Sequence, residues 1–124
     1  MSGNFKLKRA YDSPGTEDGA RFLVDRLWPR GKKKEALKIE GWIKEAAPSD
    51  ALRHEFHDHP EKWDDFRKRY FKELDAKPES WRPLVEAARK GPVTLVYAAR
   101  DTVHNNAAAL AEYLRRQQMG TVIR

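Results

Sequence analysis

The 124-residue chain contains no cysteine. This absence excludes disulfide bonds, thiolate nucleophiles and thiolate metal sites, and it favours a reducing compartment. No stretch approaches the run of about 18 apolar residues that a membrane-spanning helix needs. Residues 1–8 also lack the apolar run of a signal peptide. We therefore expect a cytoplasmic protein without a membrane partner.

Several familiar fingerprints are missing as well. No G-x-G-x-x-G, P-loop or G-x-S-x-G pattern occurs, so the usual signals of nucleotide binding and of serine hydrolases are absent. Repeats, low-complexity tracts and long linkers are absent too, and residues 1–124 are predicted to form a single α/β domain. The sequence names no cofactor, reaction or oligomeric state.

Basic residues outnumber acidic ones. The chain has 25 Lys and Arg against 19 Asp and Glu, a formal net charge of +6. An excess of positive charge favours anionic partners, including nucleic acid, although acids interspersed among the bases are also typical of an ordinary solvated surface. With 40% hydrophobic residues, the chain has enough apolar material for one core.

Short apolar stretches predict the strands. Phe5, Leu7 and Tyr11 alternate with polar residues, the pattern of an edge strand with one wet face. Residues 22–24 and 93–98 are apolar runs typical of buried parallel strands, and they are the predicted centre of the sheet. Residues 121–123 are expected to return as a small final strand.

Helical periodicity fills the space between the two central strands. An amphipathic helix with a buried aromatic stripe is predicted to start near Asp58; its stripe consists of Trp63, Phe66, Tyr70 and Leu74. A shorter helix is expected to have Ser49 as its N-cap. Another helix should start at Ser80 and end at Gly91, and a last one should close at Gly120.

Strands that alternate with helices indicate a layered α/β fold with a short, partly parallel sheet. In such sheets ligands bind beyond the carboxyl ends of the strands, where the amides of a following helix favour an anion. That rule selects two turns, residues 25–31 and residues 100–106. We expect both turns to lie at one edge of the sheet.

The first turn is strongly basic. Arg26 and Arg30 carry guanidinium groups whose donor fork matches a phosphate or a carboxylate, and Lys32, Lys33 and Lys34 follow directly. The alternative is a basic surface loop in which the neighbouring tryptophan packs into the core and the aspartate at position 25 pairs with an arginine.

The second turn combines acid, base and amide side chains. Asp101 and His104 are candidates for a general acid/base pair, because histidine titrates near neutral pH and a carboxylate can orient it. Asn105 and Asn106 are expected either to donate hydrogen bonds to a bound oxygen or to cap the last helix.

A histidine cluster raises the question of a metal. His54 and His57 have the spacing of one helix face, but His59 falls beyond the predicted helix end, and no further ligand group is evident. No metal site is predicted.

Several of these residues together resemble a known family. The resemblance is carried by residues 25–31 (DRLWPRG), 47–49 (APS), 95–101 (LVYAARD) and 104–106 (HNN), together with the aromatic helix. They are similar to the YeaO-like bacterial proteins, a branch of domain-of-unknown-function family 488, over about residues 6–115. The resemblance implies a small Rossmann-like fold flanked by helices, and no established activity.

The resemblance also bears on the site. Other branches of the wider family carry a cysteine near the strand end and a Cys-His-Arg triplet, where this chain has Tyr97 and residues 103–105. Only the histidine remains, so thiol chemistry is excluded. The family motifs add Ser49 and Tyr97 to the predicted ligand-binding residues.

The leading hypothesis is a cytoplasmic protein with one polar pocket for an anionic small molecule, such as a nucleotide or another phosphate-bearing ligand. Arg26 and Arg30 would hold the anion. Asp101 and His104 would supply acid/base chemistry if the protein is an enzyme, and Arg26 and His104 are expected to converge on one concave site. A nucleic-acid-binding module and a non-catalytic scaffold are the alternatives.

Overall fold

The computed structural model describes the backbone of residues 5–123 and the side chains of residues 5–118. Within that range one sheet is formed by β1 (Phe5–Arg9), β2 (Ala20–Leu23), β3 (Gly41–Trp42) and β4 (Val93–Tyr97). The strand order is β1-β4-β2-β3, and every pairing is parallel. The carboxyl ends of all four strands therefore meet at one edge, which we call the carboxyl edge.

Five α-helices lie within the same range. They are α1 (Lys34–Leu37), α2 (Asp50–Asp58), α3 (Trp63–Asp75), α4 (Pro78–Lys90) and α5 (Asn106–Ile123). Short 3-10 helices cover Thr16–Asp18 and Lys44–Ala46. Across residues 5–123, no helix is both long and apolar enough to cross a membrane.

The predicted centre of the sheet is confirmed. Strands β2 and β4 are adjacent and parallel, with Leu23 opposite Val96, and β1 lies at an edge as its alternating pattern predicted. All five residues of β4 are buried because the strand is covered on both faces. The sheet is wholly parallel, whereas the sequence predicted only a partly parallel one.

Three predicted element boundaries are wrong. Helix α3 begins at Trp63 instead of near Asp58, because α2 continues to Asp58 and Pro60 keeps His59 out of the helical conformation. Helix α4 begins at Pro78, a residue well suited to a first helical position, and not at Ser80. The predicted strand at residues 121–123 is the end of α5, which continues through Gly120, since one glycine costs a helix only about 1 kcal/mol.

The two faces of the sheet are covered unequally. Helices α4 and α5 pack on one face, with α3 against both of them and α2 against α3. The main core fills this side, and it includes Phe66, Tyr70, Leu95 and Leu110. The other face is covered by α1 and the neighbouring loops, where Leu37 packs with Leu23 and Val96.

A closed ion network lies near the amino ends of β2 and β4. The carboxylate of Asp18, only 3% exposed, accepts hydrogen bonds from Arg21 Nη1 at 2.7 Å, from the amide of Gly15 at 2.9 Å and from Lys8 Nζ at 3.0 Å. The remaining donors of Arg21 bind the carbonyl of Leu37. Burial alone would raise the pKa of Asp18, but these donors outweigh it and lower the pKa from 3.8 to about 2.

Candidate functional site

A cleft of about 710 Å³ opens at the carboxyl edge. Its walls are the segments that follow β1, β2 and β4, together with helix α2 and the residues just before and after it. Six of the eight residues predicted for the site line this cleft: Arg26, Arg30, Asp101, His104, Asn105 and Asn106. Arg26 and His104, distant in sequence, thus lie on one concave surface.

Asp25 joins the three segments that build the cleft floor. Its Oδ2 accepts a hydrogen bond from the amide of Ala98 at 2.9 Å, and its Oδ1 accepts one from Asn106 Nδ2 at 3.0 Å. The same amide group of Asn106 donates to the carbonyl of Val24 at 3.2 Å. Asp25 is therefore held by an amide side chain and a backbone amide, and none of the described arginines forms an ion pair with it. Burial raises its pKa above 3.8, against the opposing effect of these hydrogen bonds.

Arg26 uses some of its hydrogen-bond donors within the protein. Its Nε donates to the carbonyl of Pro48 at 3.0 Å, and its Nη2 donates to the carbonyl of Ala47 at 3.4 Å. The Nε also lies 3.8 Å from a carboxylate oxygen of Asp50. Arg26 thus anchors the segment before α2 to the end of β2, while its side chain remains part of the cleft wall.

Three further arginines line the cleft. Arg30 and Arg100 are exposed, and the carbonyl of Arg30 accepts a hydrogen bond from the Tyr11 hydroxyl at 3.0 Å. Arg53, on α2, contacts the same oxygen of Asp50 as Arg26 does, at 3.3 Å. Two guanidinium groups therefore share one exposed carboxylate.

The Asp101 turn has a definite local structure. Oδ1 of Asp101 accepts hydrogen bonds from the amides of Val103 and His104, both at 2.9 Å, and these bonds hold the pKa of Asp101 below its ordinary value. The other oxygen lies 3.5 Å from Nδ1 of His104, longer than a good hydrogen bond. The imidazole ring packs edge-on against Trp63, with the ring centroids 5.1 Å apart.

The side chain of Asn105 caps helix α5, although the residue also lines the cleft. It is 2% exposed, its Oδ1 accepts from the amide of Ala108 at 2.8 Å, and its Nδ2 donates to the carbonyl of Asp101 at 2.8 Å. This geometry is that of an N-cap at the start of α5. The capping alternative of the sequence analysis therefore describes Asn105, whereas Asn106 links α5 to Asp25.

Two predicted ligand-binding residues lie outside the cleft lining. Ser49 is the N-cap of α2: its Oγ accepts from the amide of Leu52 at 3.3 Å and donates to Glu73 Oε2 at 2.6 Å. Tyr97 is 2% exposed within β4, where burial raises its pKa. The local roles of both side chains, a cap and a core residue, account for their positions.

Helix α2 contributes a wall that the sequence analysis did not assign to the site. Arg53, Phe56 and His57 line the cleft, and their spacing of three and four residues places them on one helical face. The spacing is visible in the sequence and places the three residues on one face of the helix. It does not show that this face borders the cleft, because that depends on where the helix packs. Among the described side chains, no three histidine, cysteine, aspartate or glutamate residues are placed to share a metal ion.

The aromatic stripe of α3 forms the base of this wall. Phe66 and Tyr70 are buried, as predicted, while Trp63 is half-buried against the core. Phe56 stacks on Phe66, with centroids 4.4 Å apart, and makes a tilted contact with Trp63 at 5.6 Å. The cleft therefore has an aromatic side next to its arginines.

A parallel, Rossmann-like α/β sheet with a basic cleft at its carboxyl edge defines the class of protein. The chain belongs to the YeaO-like part of the DUF488 family: residues 4–121 match the model described as the inactive DUF488-N3 subclade. The resemblance seen in the motifs is thereby confirmed.

The relatives are bacterial and uncharacterized. The chain is 44% identical over 112 residues to the uncharacterized protein YeaO of Escherichia coli (strain K12), covering 90% of this chain and 97% of that protein. It is 37% identical over 109 residues to the uncharacterized protein Rv3073c of Mycobacterium tuberculosis (strain H37Rv), covering 88% and 92%. No solved structure matches the chain significantly.

Proposed function

We propose that this cytoplasmic protein binds an anionic ligand in the cleft and does not catalyse a reaction there. The observation that carries the proposal is an imbalance of charge. Four arginines line the cleft, whereas among the described residues that line it only Asp25 and Asp101 are acidic. Both carboxylates already accept hydrogen bonds from the protein. The surplus positive charge is therefore available to a ligand.

The partial sharing of Asp50 strengthens this argument. Arg26 and Arg53 approach the same exposed oxygen, so one negative charge serves two positive ones. Arg30 and Arg100 stand at the exposed part of the cleft. An anion between these groups would relieve their mutual repulsion and gain charge-assisted hydrogen bonds.

Binding without catalysis is supported by the second turn. Asp101 is engaged by two amides, and its contact with His104 is too long to orient the imidazole firmly. The chain also has no cysteine that could act as a nucleophile in place of an acid/base pair. The description of the matching subclade as inactive agrees with this proposal.

Nucleic-acid binding has less support among the described residues. Phe66 is buried and so offers no stacking platform, and the arginines of α3 face acids: Arg67 pairs with Glu112, and Arg69 with Glu55. These ion pairs reduce the basic surface that a phosphate backbone would need.

A thermal-shift panel tests the proposal. We would add inorganic phosphate, nucleotides, sugar phosphates, aromatic carboxylates and short oligonucleotides to the protein at two salt concentrations. We expect at least one small anion to raise the melting temperature. The Arg30→Ala and Arg100→Ala variants should bind it about tenfold or more weakly, the loss of one charge-assisted hydrogen bond.

Arg82→Ala is the matched control, since Arg82 is exposed on α4 and does not line the cleft. It should bind like the unchanged protein. Stabilisation by oligonucleotides alone, with a steep dependence on salt, would favour the nucleic-acid alternative. No stabilisation by any anion, or equal binding by all three variants, would refute the proposal.

A further inference from the structure

Backbone amides at the carboxyl edge already donate hydrogen bonds to side chains of the protein. In Rossmann-like folds these amides are the groups that hold a phosphate. Here four of them are occupied by the chain's own side-chain oxygens. The amide of Ala98 binds Asp25, those of Val103 and His104 bind Asp101, and that of Ala108 binds Asn105.

Two of the three occupants are carboxylates. A phosphate entering this edge would meet the carboxylates of Asp25 and Asp101 at the places where a phosphate-binding protein offers free amides. Like charges repel, so these two carboxylates oppose a phosphate at the amides, and the occupied amides give it no hydrogen bond. The edge therefore lacks the free backbone amides that a phosphate site uses, and its free donors are side chains.

The remaining donors are guanidinium groups, whose paired N–H bonds match a carboxylate. Arg53 lines the cleft, and its Nε is shielded from solvent without an acceptor among the described residues. A buried donor of this kind gains from an incoming oxygen. Arg30 and Arg100 offer further forks at the exposed part of the same cleft.

The rest of the lining is apolar. Leu27, Trp28 and Phe56 contribute aromatic and aliphatic surface. The apolar surface continues outward, because the large hydrophobic residues that are exposed in the described chain all lie on loops at the carboxyl edge. They are Tyr11 after β1, Leu27 after β2 and Val103 after β4, with 43%, 59% and 64% exposure. Single exposed apolar residues are ordinary, but their concentration around one cleft indicates an apolar ligand surface.

We infer that the ligand is a small amphipathic carboxylic acid, with its carboxylate against the arginines and an aromatic or aliphatic body along the apolar wall. The cleft volume of about 710 Å³ is in the usual range for a small organic ligand. This inference rests on the proposed anion-binding function and names its ligand class, in place of a nucleotide or another phosphate-bearing molecule.

Calorimetric titration with matched probes tests the inference. The probes are 2-naphthoate, 2-naphthamide with the same body and no charge, 2-naphthyl phosphate with the same body and a phosphate, acetate with no body, and inorganic phosphate. We expect 2-naphthoate to bind at least about tenfold more tightly than each of the others. Leu27→Ala should weaken 2-naphthoate about fivefold through lost apolar contact, and Arg30→Ala about tenfold.

The outcomes separate this inference from the proposed function. If either phosphate binds as tightly as 2-naphthoate and Arg30→Ala weakens it, the anion site stands and the ligand class is overturned. If 2-naphthamide binds as tightly as 2-naphthoate, charge plays no part in binding this probe and the present inference fails, while the proposed function is decided by the thermal-shift panel. If 2-naphthoate gives no binding heat at millimolar concentration while another anion of the thermal-shift panel binds, only the present inference fails. Arg82→Ala is again the control that should leave every affinity unchanged.

Discussion

Two clusters of charged residues occupy opposite ends of the same sheet and differ in how completely their charges are paired. At the amino ends, Asp18 and Arg21 are both buried, and all three side-chain nitrogens of Arg21 donate to acceptors within the protein. At the carboxyl edge, four arginines line an open cleft whose own two carboxylates are already hydrogen bonded. At one end of the sheet, the closed end, the buried charges are paired, whereas at the other, the open end, arginines outnumber the carboxylates of the cleft lining.

The difference shows that residue type alone does not determine the environment of a charged side chain. Arg21 and Arg26 lie close together in the sequence. Arg21 is 4% exposed and pairs with the buried carboxylate of Asp18, whereas Arg26 lines the cleft. What separates them is the presence of a close, buried acid. The predictions below address that difference.

The largest expected effect is at the closed end. Asp18→Asn removes the charge that compensates Arg21, which is then buried without a partner ion. Breaking a buried pair in this way should lower the free energy of unfolding by about 3–5 kcal/mol. Urea unfolding followed by circular dichroism measures the loss. Asp64→Asn is the control, because the side chain of Asp64 is 84% exposed, and a loss of similar size there would contradict the comparison.

The two ends should respond to acid in opposite directions. The pKa of Asp18 is lowered from 3.8 to about 2, so its stabilisation is complete above pH 4 and is lost as the pH falls through 2, by about 2 kcal/mol. The pKa of Asp25 is raised above 3.8, so its contribution is complete when it is protonated and is lost as the pH rises through the raised value.

Unfolding free energies measured from pH 2 to pH 7 check these signs. The difference between the unchanged protein and Asp18→Asn should shrink as the pH falls below 4. The difference between the unchanged protein and Asp25→Asn should grow as the pH falls from 7 to 4. Parallel profiles for the two variants would show that the ends are electrostatically alike.

A smaller effect is expected at a residue that the sequence assigned to ligand binding. Ser49→Ala removes the cap of α2 and the hydrogen bond to Glu73. We expect a loss of about 1–2 kcal/mol in stability, with the ligand affinity of the folded protein unchanged. Thermal melting and calorimetric titration measure the two quantities, and Ser13→Ala, at an exposed position, is the control. A loss of affinity without a loss of stability would show that Ser49 binds the ligand, as the sequence predicted.

The smallest effect on stability is expected at the open end itself. Leu27 is 59% exposed, so Leu27→Ala should change the free energy of unfolding by less than about 0.5 kcal/mol. The same substitution at Leu52, which is 2% exposed, should cost about 2–5 kcal/mol. Denaturant unfolding of both variants tests the contrast, and a large loss at Leu27 would mean that the rim is part of the core.

The sheet was more predictable than the site. The apolar runs at 22–24 and 93–98 are long-range signals of burial, and the helices between them require a crossover, so parallel neighbours followed from the sequence. Helix ends were less predictable because they depend on local competition, as at His59 before Pro60.

The positions of the two turns could also be predicted, since both follow central strands. The partners of individual side chains could not, because they are set by three-dimensional contacts. No sequence spacing indicates that Arg26 binds the carbonyl of Pro48 or that Asn106 binds Asp25. The contribution of α2 to the cleft depends in the same way on where the helix packs.

The strand order has a consequence for how the chain acquires its structure. Within residues 5–123, β1 pairs with β4, and β2 pairs with β3 and β4, so the first strand made has no partner until the last strand has been synthesised. During translation β1 stays unpaired while the four helices α1 to α4 are synthesised. Pairings of such high sequence separation slow folding relative to a helical protein of the same size. The cleft, whose walls follow β1, β2 and β4, therefore forms only when almost the whole chain has left the ribosome.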